Sequence, residues 1–196
     1  RRSCEFYVID HSTTTEEAIG QSGGNFGKGG NFLYRWGNQQ LYGRGSESDK
    51  QLFHQHCVNW IPGGFPGAGN FILYNNGTVS SGGPGFSTVM EIAPPYSETG
   101  DYFLDESSAY GPENPVWNYD GGGSFASGLQ SSAFRLENGN TIITVTNGGD
   151  IFEVDSGDQV VWTYQNEFSS NYRKLLTNKT THPSRQLEFR EGSVLA

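Results

Sequence analysis

The chain has 196 residues and a formal net charge of -9, with 21 acidic residues against 12 basic ones. This length suits a single all-β domain with a sizeable core. The acidity argues against a nucleic-acid backbone or an anionic membrane surface as partner, because both bind through a basic face. No run approaches the roughly 18 consecutive apolar residues of a membrane-spanning helix, so no membrane span is expected.

The N-terminal part of the chain contains one clear strand. Gly30-Asn31 is followed by the apolar and aromatic run 32–36, which predicts a strand after a turn. The stretch 49–56 is the one segment that suits a short helical turn, and Ser48 or Asp49 can cap it. Helix is otherwise expected to be nearly absent.

A second unit of strands is predicted from Gly69 to Tyr119. Its strands are expected at 70–74, 87–92 and 116–119. Between the last two lies the segment 94–115, which is rich in proline and glycine. A loop of this length in a compact all-β domain is either functional or a packing arm, and both alternatives stay open.

The clearest unit runs from Ser131 to Asn166. Asn-Gly turns flanked by β-branched residues are a strong hairpin signal, because both central positions of a type I′ turn need a positive φ. They predict a four-stranded antiparallel meander. Its strands are expected at 132–136, 140–146, 151–154 and 159–164.

The two units share a repeated motif. Trp162-Thr163-Tyr164 repeats Trp117-Asn118-Tyr119 at a distance of 45 residues. A period of this length built from short strands is typical of a β-propeller, and it gives about four blades of four-stranded antiparallel meanders, or part of a larger ring. Residues 1–168 are assigned to the blades and 169–196 to a polar C-terminal tail.

The two cysteines and two sequons bear on the compartment. Cys4 and Cys57 are an even pair that favours a disulfide in an oxidising compartment, although two free buried thiols are the alternative. The protein is therefore expected to be secreted, extracellular or periplasmic. Asn76 and Asn178 lie in N-x-[S/T] sequons and are N-glycosylation acceptors if the source glycosylates its proteins.

Six segments, which include Asp10-His11-Ser12-Thr13 and Gln55-His56, together resemble the arylsulfotransferase-like (aryl-sulfate sulfotransferase) propeller family. The resemblance implies a six-bladed propeller, of which this chain corresponds to the C-terminal portion. It also implies transfer of a sulfuryl group from an aryl sulfate to a phenol through a histidine adduct, without an organic cofactor. The six segments are 8–18, 27–38, 51–62, 66–70, 75–77 and 151–164.

Sulfuryl transfer needs an imidazole nucleophile and hydrogen-bonding or cationic groups around the sulfuryl oxygens. The resemblance places His11 or His56 as the nucleophile, with Arg35 and Arg44 as the oxyanion partners. The chain departs from the family pattern at Cys57, where a carboxylate that could orient His56 is expected.

Simpler roles are also open for these side chains. His11 can cap the following turn, and Arg35 can stack on neighbouring Trp36. His54 and His182 are expected at the surface, and no metal site is predicted. The second functional hypothesis is a non-catalytic structural or adhesive module that forms a homo-oligomer or filament through its blade edges and tail.

Overall fold

The computed structural model describes residues 1–97, 101–104 and 106–166. The predicted tail 169–196, with Asn178 and His182, lies outside these residues. The described chain forms ten short strands in three antiparallel sheets, which confirms the all-β class. The strands are β1 (Phe6–Ile9), β2 (Phe32–Trp36), β3 (His56–Trp60), β4 (Phe71–Asn75), β5 (Thr88–Ile92), β6 (Trp117–Tyr119), β7 (Ser132–Arg135), β8 (Thr141–Val145), β9 (Asp150–Val154) and β10 (Val160–Gln165).

The third sheet has the strand order β10-β9-β8-β7, so all four strands predicted for the clearest unit are confirmed. The middle sheet has the order β3-β4-β5-β6 and gains a strand that the sequence analysis did not predict. The segment 49–56 was expected to form a helical turn, but helical backbone ends at Asp49, the last residue of a 3-10 turn at Glu47–Asp49, and His56 begins β3. Neighbouring loops satisfy the extended backbone there, since the N–H of Gln51 donates to the Gly37 carbonyl and that of Phe53 to Asn75 Oδ1.

The first sheet contains β1 and β2 alone within the described residues. The three sheets stack face to face around two apolar cores, and the middle sheet contributes to both because its side chains alternate between its faces. The first core contains Cys4, Phe6, Tyr34, Trp36, Leu52, Phe71, Leu73, Met90 and Ile92. The second contains Ile61, Ile72, Tyr74, Val89, Tyr119, Ala133, Ile143, Val145 and Val154.

The α-helix of the described chain is α1 (Thr15–Ile19), in a place where no helix was predicted. Thr14 caps it through a capping box, in which Thr14 Oγ1 accepts from the Glu17 N–H and the Glu17 carboxylate accepts from the Thr14 N–H. The helix buries no side chain, and Ile19 is 85% exposed. Local capping, rather than packing, therefore holds this turn of helix.

The described part of the 94–115 insertion packs against the first core. Tyr34 Oη donates to the Gly111 carbonyl at 2.6 Å, and Trp36 Nε1 donates to the Pro112 carbonyl at 2.8 Å. Tyr102 and Tyr110 lie against the same core, and burial raises the pKa of Tyr102 to about 12. Of the two alternatives for this loop, the structure shows the packing arm.

In the described part of the chain, no helix is long and apolar enough to cross a membrane.

Candidate functional site

Of the three histidines that the structure describes, His56, the first residue of β3, is the best organised. Its cross-strand partner is Tyr74, and the chain after β4 turns sharply through Asn76 and Gly77. Gly77 has a φ of +64°, and a side chain there would collide with the Phe86 carbonyl oxygen. This turn brings Asn76 beside the imidazole, with Asn76 Oδ1 at 2.6 Å from His56 Nδ1.

Asn76 fixes the tautomer of this imidazole. Its side chain is buried, and its Nδ2 donates to the carbonyls of Ser127 at 2.5 Å and Gln130 at 3.1 Å. Because the amide nitrogen is used by two acceptors, Oδ1 faces His56 and requires a donor there. Nδ1 of neutral His56 therefore carries the proton, and Nε2 keeps a lone pair.

The backbone around this imidazole is held in an uncommon conformation. Six described non-glycine residues have a positive φ, and four of them, His54, Cys57, Gln130 and Ser131, lie in the two segments that meet at His56. Each such residue costs on the order of 1 kcal/mol, and residues of this kind cluster at functional sites.

His54 lies beside this site rather than on the open surface, where it was predicted. Its Nδ1 is 2.9 Å from the hydroxyl of Thr78. Burial lowers the pKa of His54, and the positive charge of Arg1 lowers it further. Arg1 itself donates to the Gly128 carbonyl at 3.3 Å, and its charge reaches His54.

His11 does not belong to this site. Gln55 Nε2 donates to the Glu5 carbonyl at 2.6 Å, and Ile9 and Trp60 line one cleft, so β1 runs beside β3 in the same direction. His11 follows the end of β1, whereas His56 begins β3. The two imidazoles are therefore separated by on the order of 15 Å along the strands, and His11 is exposed in its loop.

Arg35 is held in a structural contact. Its guanidinium makes two hydrogen bonds to the Glu5 carboxylate, at 2.8 and 2.9 Å, and its Cζ lies 4.4 Å from the Tyr42 ring centroid. It also lies over the rings of Tyr7 and Phe32, not on Trp36 as the sequence suggested. Arg35 and Tyr7 are cross-strand partners on the outward face of the first sheet, so Arg35 does not face His56.

Arg44 is half-buried in the loop after β2 and donates to the Glu106 carbonyl. The four residues predicted to form one site, His11, His56, Arg35 and Arg44, are therefore not brought together. Only His56 has a partner that prepares it for chemistry. Two signals in the sequence lie near it, the Asn75-Asn76-Gly77 turn and the segment His54-Gln55-His56, but neither indicates which side chain of the turn faces the imidazole.

The predicted disulfide is not formed, and both cysteines are free. Cys4 lies in the first core, whereas the bulge in β3 turns Cys57 toward the third sheet, where it accepts a hydrogen bond from the Ala133 N–H. The two thiols therefore lie on opposite sides of the middle sheet. Burial raises the pKa of the Cys57 thiol.

The structure does not support glycosylation of Asn76. The residue is 2% exposed, and the amide nitrogen that would bear the glycan donates to two carbonyls. Within the described residues, no three His, Cys, Asp or Glu side chains are grouped so that they could hold a metal ion.

A cleft of about 650 Å³ lies elsewhere, between the 37–51 loop and the 94–115 insertion. Tyr42 and Tyr110 line it, and His56 does not. Comparison of the chain with protein-family models, with curated proteins and with solved structures finds no match.

Proposed function

We propose that the chain is part of an arylsulfotransferase-like β-propeller, secreted or periplasmic, in which the stacked sheets are consecutive blades. Two complete four-stranded meanders follow one another in the chain and pack face to face. Their final strands repeat the Trp-x-Tyr motif at 45 residues. The order of the sheets and the 45-residue period support this arrangement.

In this proposal, His56 is the group that accepts the sulfuryl unit, and its hydrogen bond to Asn76 carries the assignment. Nε2 attacks the sulfur of an aryl sulfate, so that an N–S bond forms while the S–O bond to the aryl group breaks. The phenolate leaves and takes a proton from water. The hydroxyl of an acceptor phenol then attacks the sulfur, loses its proton to solvent and releases neutral His56.

Asn76 replaces the orienting carboxylate that the family pattern leads one to expect beside His56. The Nδ1–H bond to Asn76 Oδ1 holds the ring, and in the neutral imidazole it leaves the lone pair on Nε2 for attack. As Nε2 becomes positively charged in the adduct, the same oxygen stabilises the ring. His54 interacts electrostatically with both His56 and Arg1, so His54 and Arg1 are the proposed donors to the sulfuryl oxygens in place of Arg35 and Arg44.

The test is transfer from 4-nitrophenyl sulfate to phenol, followed by release of 4-nitrophenol. His56→Gln is expected to lower the rate by at least about 100-fold. Asn76→Ala is expected to lower kcat and to change KM less. Mass spectrometry of quenched protein is expected to find a sulfuryl adduct on the peptide that contains His56. Added imidazole is expected to restore part of the activity of His56→Ala.

The matched comparison is His11→Gln, which removes the other candidate nucleophile. It is expected to keep the rate of the unaltered chain, since His11 lies at the opposite end of the sheets. Loss of activity in His11→Gln together with an active His56→Gln would show that His11, and not His56, is the nucleophile. Absence of both turnover and adduct in the unaltered chain favours the second hypothesis, a non-catalytic module that assembles through its sheet edges.

A further inference from the structure

The turn behind His56 is closed by a ring of hydrogen bonds among three buried residues. Asn76 Nδ2 donates to the Ser127 carbonyl at 2.5 Å, the Ser127 N–H donates to the Ser87 hydroxyl at 3.0 Å, and that hydroxyl donates to the Asn76 carbonyl at 3.1 Å. Asn76 is 2% exposed, and the two serines are fully buried. The ring joins one residue after β4, one before β5 and one before β7.

The donors and acceptors of this ring have a fixed direction. A backbone N–H donates and a backbone carbonyl accepts, so the Ser87 oxygen accepts from Ser127 and its proton goes to the Asn76 carbonyl. The Ser87 N–H donates in turn to the Phe125 carbonyl at 3.0 Å, which holds the backbone of Ser87. The Ser87 hydroxyl therefore restrains the backbone of both Asn76 and Ser127.

The orientation of the Asn76 amide decides which nitrogen of neutral His56 carries the proton. A turned amide would place its oxygen against the carbonyl oxygens of Ser127 and Gln130, and its NH2 group against His56 Nδ1. The imidazole proton would then lie on Nε2, and no lone pair would remain there for attack. The Ser127 carbonyl makes the shorter bond to Asn76 Nδ2, 2.5 Å against 3.1 Å for Gln130, so its position has the larger effect on the amide.

We propose that Ser87 is a positioning residue for His56. It acts through Asn76, because its hydroxyl holds the Ser127 backbone so that the Ser127 carbonyl meets the amide nitrogen of Asn76. With Ser87 in place, neutral His56 keeps its proton on Nδ1 and its lone pair on Nε2. This tautomer is a property of the chain itself, and only its consequence for sulfuryl transfer rests on the proposed function.

The next residue along the chain provides a matched control. The Thr88 hydroxyl is also buried, in a residue that is 8% exposed, but it forms no hydrogen bond with any described residue. Ser87→Ala and Thr88→Val each remove one buried hydroxyl at the start of β5. Only Ser87→Ala opens the ring, so an effect of that variant alone separates the ring from a general loss of packing.

The test is a long-range 1H–15N NMR spectrum of the imidazoles in 15N-labelled protein at pH 9, so that the rings are observed in the neutral form. The spectrum distinguishes a protonated ring nitrogen from an unprotonated one, and the signals that are absent from His56→Gln belong to His56. The unaltered chain and Thr88→Val are expected to have a protonated Nδ1. Ser87→Ala is expected to have the proton on Nε2 in most molecules, because the Ser127 backbone is then free to accommodate a turned amide.

Two further variants separate positioning from stability. Ser87→Thr keeps the hydroxyl but adds a methyl group in a fully buried place, so it is expected to lower Tm and to leave the tautomer unchanged. Ser87→Cys fills nearly the same space with a weaker donor and acceptor. It is expected to increase the Nε2–H form, and it takes the place of Ser87→Ala if that variant does not fold.

In the 4-nitrophenyl sulfate assay, the kcat of Ser87→Ala is expected to fall in proportion to the fraction of His56 that leaves the Nδ1–H form. If the unaltered chain shows no turnover, the proposed function fails, and the NMR spectrum still decides the role of Ser87. Two results overturn that role: a proton on Nε2 of His56 in the unaltered chain, or a tautomer that a folded Ser87→Ala or Ser87→Cys variant leaves unchanged.

Discussion

Arg35 illustrates how one side chain can satisfy a sequence motif and yet serve another purpose. Glu5 is almost fully buried, with a side chain 1% exposed, and its charge is balanced by the two hydrogen bonds from Arg35. The flat guanidinium also stacks on Tyr42, which a compact lysine ammonium cannot do in the same way. The pair stabilises the first sheet, and the Arg35 guanidinium is engaged by Glu5 rather than placed to bind a substrate.

The first prediction at this scale concerns that pair. Arg35→Ala leaves the Glu5 carboxylate buried without a cation, with only the Tyr7 hydroxyl still donating to it among the described residues. We therefore expect it to lower the free energy of unfolding by about 3–5 kcal/mol. Arg35→Lys keeps the charge and is expected to lose less. Urea unfolding of the three proteins measures the difference. Equal stability of Arg35→Ala and the unaltered chain would show that Glu5 is not buried as described.

At the scale of elements, Asp10 organises the loop between β1 and β2. Its carboxylate accepts hydrogen bonds from the Ser12 hydroxyl at 2.6 Å, the Phe26 N–H at 3.0 Å and the Ser12 N–H at 2.9 Å. These bonds hold the pKa of Asp10 below its usual value, the Ser12 hydroxyl most strongly. One carboxylate thus joins the two ends of a loop that contains α1.

The pH dependence follows from the lowered pKa. Because the folded state binds the Asp10 proton more weakly than the unfolded state, the stabilisation is present above the unfolded pKa of about 3.9 and is lost as pH falls through the folded pKa. Asp10→Asn is therefore expected to lower Tm at pH 7 and to differ less from the unaltered chain at pH 3. Thermal unfolding at both pH values measures this, with exposed Glu16→Gln as control. A difference in Tm that is as large at pH 3 as at pH 7 would contradict this role of the Asp10 carboxylate.

At the scale of the whole molecule, the middle sheet joins the two cores. Ile72 and Leu73 are neighbours on β4 and both are fully buried, yet Ile72 lies in the second core and Leu73 in the first. Neither outer sheet has an independent core within the described residues. The stack is therefore expected to unfold as one cooperative unit.

This unit is tested with a pair of matched variants. Ile72→Ala and Leu73→Ala are each expected to cost about 2–5 kcal/mol, because each leaves a cavity in a packed core. In urea, both are expected to shift the midpoint without changing the slope m. If either variant unfolds in two steps, the two cores are separate folding units.

Part of this architecture could be predicted from the sequence. The hairpins of β7 to β10 follow from Asn-Gly turns and alternating β-branched residues, which act over a few neighbouring residues. β3 was not predicted, because distant loops satisfy the backbone that leads into it. The short helix α1 was also not predicted, although its Thr14–Glu17 capping box is a local signal.

The same division holds for the candidate site. The sequence indicated His56 as a candidate because of its motif, but not its partner Asn76, which lies 20 residues later and meets it only when β3 pairs with β4. A linear motif does not show where each side chain points in the fold. The sequence therefore grouped His11, Arg35 and Arg44 with His56. The disulfide between Cys4 and Cys57 was predicted because they are the only two cysteines of the chain, and their number says nothing about the distance between them.

The sequence by itself determined the all-β class, the 45-residue repeat and the hairpins of the third sheet, since turn geometry and side-chain alternation are local properties of the chain. The tertiary structure decided which side chains face one another. It paired Arg35 with the buried Glu5 carboxylate, and it placed His11 and His56 at opposite ends of β1 and β3, which run side by side. These relations depend on how whole sheets stack, and no short segment of the sequence encodes that stacking.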